Sequence, residues 1–124
     1  MKFSTLLTIT GVIGVIFGLL FFLAPAAGMA QYGATTDATG LFMARYFGSA
    51  LIYLGLIYLA LARLALPSIR GVAIAACVGE LGGLWVSIQL QLSGAVNALG
   101  WSSVVLYAVL ALAFAGYALR TPSA

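Results

Sequence analysis

The chain has 124 residues, 65% of them hydrophobic and 6% charged, with a mean hydropathy of +1.21; that balance excludes a water-soluble domain and reads as an all-α integral membrane protein. Five basic residues against two acidic ones give a net charge of +3, but Lys2, Arg45, Arg63, Arg70 and Arg120 are scattered and form no patch that could neutralise a run of phosphates, so nucleic acid is excluded as a partner. With no histidine and a single cysteine, Cys77, the chain lacks the usual ligands of haem, zinc and copper, the default general base and any intramolecular disulfide; no metal, cofactor or catalytic residue is expected.

The first apolar run covers residues 3–24 and is interrupted only by Ser4, Thr5, Thr8, Thr10 and glycines. At 1.5 Å per residue it is long enough to cross about 30 Å of hydrocarbon. Lys2 in front and small residues behind imitate a secretory signal, but such an apolar region runs only about 7–15 residues, so a membrane span is expected instead. Pro25 ends the helix. Residues 25–39 carry no lysine or arginine and read as an external loop, in which Asp37 or Thr39 would cap the next helix. The second span covers about 40–62. Ser68 is the expected cap of the third, about 69–92, and a neutral turn over 93–100 leads to the fourth, about 101–119, and a short tail through residue 124. The four spans form one membrane domain over residues 1–124, a four-helix transmembrane bundle.

Orientation follows from the cations. Lys2, Arg63, Arg70 and Arg120 fall at one side of such a bundle and none falls in the other two connections, which places both termini in the cytoplasm. Because all four positions agree, a dual-topology dimer is disfavoured.

Helices in lipid gain little from burying apolar surface and associate through close backbone approach and polar contacts. Ser4, Gly11 and Gly18 recur every seven residues in the first span, Gly14 and Gly18 form a GxxxG step, Gly48 and Gly55 repeat the seven-residue spacing in the second, and Gly79 and Gly83 form another GxxxG step in the third. These glycines are the expected packing positions.

The polar residues concentrate in the outer half. Glu80, Leu84, Ser87 and Gln91 share a narrow stripe of the third span, Arg45 and Ser49 share a face of the second, and Tyr107 lies at intermediate depth in the fourth. Centred near Leu51, the second span puts Arg45 roughly 9 Å outward of the midplane. A lone charge at a helix centre costs roughly 2.5–3.5 kcal/mol on the insertion scale. Protonation of Glu80, or pairing with Arg45, reduces that cost. The expected site is therefore an outward-facing polar pocket of Arg45, Ser49, Glu80, Ser87, Gln91 and Tyr107, closed by Glu80 and Arg45.

The stretch Gly40-Leu-Phe-Met-Ala-Arg45-Tyr-Phe-Gly48, with a later Gly55, resembles the second helix of small bacterial four-helix membrane proteins of unknown function in the DoxX-like neighbourhood. The likeness covers about one helix plus the four-span plan and implies architecture in a bacterial inner membrane, not an activity. Small multidrug-resistance transporters are of similar size, but their essential glutamate lies in helix one, where this chain has none. Fluoride channels carry an arginine–tyrosine pair like Arg45-Tyr46, but in their first helix. The expected function is that of a non-enzymatic accessory or assembly subunit, packing against other membrane proteins or copies of itself among membrane lipids. The alternative is a small transporter or lipophilic-ligand binder that uses the polar pocket.

Overall fold

A computed structural model describes residues 1–120, and the expected tail over 121–124 lies outside the described residues. These residues form helices without strands: α1 (Phe3–Leu23), α2 (Pro25–Gln31), α3 (Ala38–Leu61), α4 (Arg70–Leu92) and α5 (Gly100–Arg120). Of these, α1, α3, α4 and α5 are each long and apolar enough to cross a membrane. The chain divides into two compact units, Met1–Leu64 and Ala65–Ala124.

In the first unit α1 runs antiparallel to α3, with α2 bridging their ends. Two hydroxyl groups inside α1 are satisfied locally: Thr8 Oγ1 donates to Ser4 O at 2.8 Å and Thr10 Oγ1 to Leu6 O at 3.0 Å, so an apolar helix carries these two without an unmet donor. Ala24 leaves helical geometry at φ −134° and ψ 61°, and Pro25 stands at the start of α2. The segment read as an irregular loop thus holds a two-turn helix. Proline stops α1 but also suits the first turn of a new helix, where its missing N–H is not needed. Gly33, at φ 68°, turns the chain out of α2. Asp37 then caps α3, its Oδ1 accepting from Gly40 N at 2.9 Å.

In the second unit α4 packs against α5. Ser68 does not cap α4, because Ile69 occupies the cap position in near-helical geometry and no side chain bonds there. Between the helices, Gly94 at φ 74° takes the left-handed conformation that ends α4. Ser93 Oγ donates to Leu90 O at 2.6 Å, Asn97 Oδ1 accepts from Leu99 N at 3.0 Å, and Asn97 O accepts from Gly100 N at 3.0 Å, which ties the turn to both helices. The buried residues of this unit include Ala73 and Ala76 on α4 and Leu110, Ala111 and Phe114 on α5. Elsewhere on all four long helices bulky apolar side chains point outward, among them Ile16, Leu23, Phe42, Tyr53, Val78, Trp85, Leu112 and Leu119.

Candidate functional site

The glycines of α1 and α3 face one another. A Cβ built on Gly11 would stand 2.8 Å from Gly55 O, one on Gly18 would stand 2.8 Å from Gly48 O, and one on Gly14 would stand 3.2 Å from Leu51 O. The reciprocal approaches are as tight, with 2.7 Å from Gly55 to Gly11 O and 2.7 Å from Gly48 to Gly18 O. These are backbone atoms that no rotamer change can remove. The two seven-residue spacings therefore interlock as one antiparallel seam, Gly11 opposite Gly55 and Gly18 opposite Gly48.

The seam positions Arg45. At Gly48 the backbone of α1 comes so close that a Cβ would stand 2.5 Å from Phe22 N. Beside this approach, Phe21 and Phe47 meet edge to face with centroids 5.4 Å apart. This brings Phe22 beside Arg45 and Ser49, and with Phe42 and Tyr46 they line a shallow hollow of about 140 Å³ wholly within the first unit. Arg45 and Ser49 are exposed. Phe22, Phe42 and Tyr46 are not among the pocket residues expected from sequence. The signal that reaches Phe22 is the pairing of the two glycine spacings in antiparallel register.

In the second unit Cys77 Sγ donates to Ala111 O at 3.6 Å, and Gly83 lies against the ring of Tyr107 with no room for a Cβ. Glu80 stands three residues from each, so it lies at the middle of the arc that α4 turns toward α5. Its exposure is 8%. Ser87 and Leu84 continue the stripe, half-buried. Gln91, at its end, belongs to the turn: Nε2 donates to Asn97 O at 3.4 Å, while Oε1 is buried over Gly100 and has no hydrogen-bond partner among the described residues. Of the expected pocket residues, then, Arg45 and Ser49 come together on the first unit, and Glu80, Ser87, Gln91 and Tyr107 on the second.

Gly79 differs from the other expected packing glycines. A Cβ there would meet nothing within 4 Å, as would one on Gly71, Gly82 or Gly116. The GxxxG step of α4 is therefore split, because only Gly83 points at α5. A second hollow, of about 220 Å³, is lined by Ile74, Cys77, Val78, Ala115, Ala118 and Leu119 and is apolar throughout. Among the described residues no group of three or more metal-ligating side chains comes together. No protein-family model matches the chain, and no curated protein or solved structure matches it either.

Proposed function

We propose that the protein is a non-enzymatic, multi-pass component of a bacterial inner membrane, with both termini cytoplasmic, that acts as an accessory or assembly subunit by packing against other membrane proteins or copies of itself. The observation that carries this reading is the outward display of bulky apolar side chains along all four long helices, a surface suited to lipid and to neighbouring helices and not to water. The cations support the orientation. Lys2 stands before α1 and Arg63 just after α3, at the same end of the first unit, while Arg70 opens α4 and Arg120 closes α5, at one end of the second. The sequence likeness to DoxX-like proteins, carried by Ala44-Arg45 and Gly48, agrees with such a plan.

The test combines three measurements. The chain should stay in membranes through an alkaline carbonate wash, a C-terminal cytoplasm-dependent fluorescent reporter should be active where a periplasm-dependent phosphatase is not, and mild-detergent purification should retain a stoichiometric protein partner or a defined oligomer. A monomer that copurifies with no protein would sink the assembly role.

A second reading, a small transporter or lipophilic-ligand binder, is favoured by the burial of Glu80 within an apolar helix, since ionisable groups at such depth mark ion and substrate paths. In that case Glu80→Gln abolishes proton-coupled uptake in vesicles without changing expression or oligomeric state, and unchanged flux removes this reading.

A further inference from the structure

We propose that the hollow around Arg45 binds the phosphate of an anionic phospholipid, with Phe22 against its acyl chains; this rests on the membrane reading above. The argument begins with depth. Helix α1 has 21 residues, about 31 Å, which matches a hydrocarbon core of about 30 Å. Gly18 lies opposite Gly48, and the same register continued three residues outward puts Phe21 opposite Arg45. Arg45 is then two residues, or about 3 Å, inside the level of Leu23 at the end of α1. That is nearer the surface than centring the second span by itself suggests, because α3 overhangs α1 at this end.

Direction and chemistry follow. Side chains on a helix lean toward its N-terminus, and the N-terminus of α3 is the near end, so the long Arg45 side chain runs outward to headgroup level. A guanidinium there offers a fork of donors that matches phosphate oxygens. The five residues lining the hollow include no acid, so no carboxylate on its walls competes for the cation. Tyr46, adjacent to Arg45 and exposed, has the ring and hydroxyl of an interfacial anchor. Phe42, one turn nearer the end of α3, and Phe22 supply apolar walls on either side. A cation, an interfacial tyrosine and two phenylalanines thus meet at the boundary between headgroup and hydrocarbon, a combination suited to an amphiphile with an anionic head.

The experiment uses the full chain in lipid nanodiscs holding equal amounts of phosphatidylglycerol and phosphatidylcholine, released into native mass spectrometry. The wild type should retain the anionic lipid over the zwitterionic one by roughly tenfold, the scale of a charge-assisted contact. Arg45→Gln should lose that preference, Arg45→Lys should keep a reduced one, and Arg63→Gln, at the other end of the unit, should keep it in full. An Arg45→Gln protein with wild-type preference overturns the inference; should that variant fail to fold, an Arg45→Lys protein with undiminished preference does the same. Loss of the preference in Glu80→Gln also overturns it, because Arg45 would then depend on the carboxylate. Carbonate washing of membranes carrying each variant separates the two levels. A chain that inserts without headgroup preference removes this inference alone, and a chain that washes off removes the membrane reading beneath it.

Discussion

Replacing Gly48 with alanine should drive α1 and α3 apart, whereas the same replacement at Gly79 should not disturb the fold. The new Cβ at position 48 would stand 2.5 Å from Phe22 N, 2.7 Å from Gly18 O and 2.9 Å from Phe21 C. Ordinary contact begins near 3.4 Å, so the helices must separate locally by close to 1 Å. A gap of that size forfeits roughly a quarter to a half of each facing dispersion contact, and a seam with about as many atom pairs as one buried leucine, about 40–60 at 0.1–0.2 kcal/mol each, then loses roughly 1–6 kcal/mol. Overpacking of well-fitted interiors costs about 1–3 kcal/mol. The two ranges overlap between about 1 and 3 kcal/mol, which is the expected loss. In lipid little hydrophobic gain offsets it, since the seam holds by packing alone. At Gly79 nothing lies within 4 Å, and alanine should leave stability unchanged or raise it by up to about 1 kcal/mol through helix propensity. Reversible unfolding of the purified chain in mixed micelles, followed by circular dichroism, measures both. Equal stability of Gly48→Ala and the wild type, or equal losses in the two variants, would refute the seam.

Three further outcomes are expected from the same unfolding assay. Asp37→Ala removes the acceptor for Gly40 N and should cost about 1 kcal/mol, with Asp37→Asn recovering most of it, since the amide oxygen accepts the same bond. Phe114→Ala empties a site with 0% exposure and should cost about 3–5 kcal/mol by the scale of soluble cores, and a loss below 1 kcal/mol would mean that the second unit is loosely packed. Gly83→Ala forces the new methyl against the Tyr107 ring, a side chain that can rotate away, so its cost should fall below that of Gly48→Ala and shrink in a Tyr107→Ala background.

How much of this was legible in the chain depends on whether a feature is carried by one helix or by two. The apolar runs, a cap at Asp37 or Thr39 and the seven-residue glycine spacings are properties of single segments, and they can be read directly. Which glycine meets which cannot, because register is a property of a pair. For the same reason centring α3 alone sets Arg45 roughly 9 Å from the middle of a span, while the register with α1 sets it only two residues short of the level of Leu23. Helix α2 escaped notice because Pro25 was read only as a stop, although proline is equally a start. The Glu80 stripe was visible as a period, but the end of that stripe is claimed by the turn. Gln91 spends its amide on Asn97 O, a bond that the local composition of 93–100 does not announce.

The glycines carry the larger lesson about assembly. Gly14 and Gly18 on α1 and Gly79 and Gly83 on α4 have the same spacing in apolar helices, yet the first pair is wholly engaged with α3 and the second is divided. Spacing guarantees only that two glycines share a face, about 40° apart around the axis; the partner helix decides how much of that arc it covers. Where the partner is α3, itself carrying glycines at matching intervals, both backbones approach and the seam closes. Where the partner is α5, a tyrosine ring fills the space against Gly83, and Gly79 lies outside the arc that α5 covers. The glycines of the α1–α3 seam are therefore spent inside the first unit and cannot also serve another protein. Any partner that packs by close backbone approach must use surface that remains open, so seam substitutions should damage the chain itself before they alter what it assembles with.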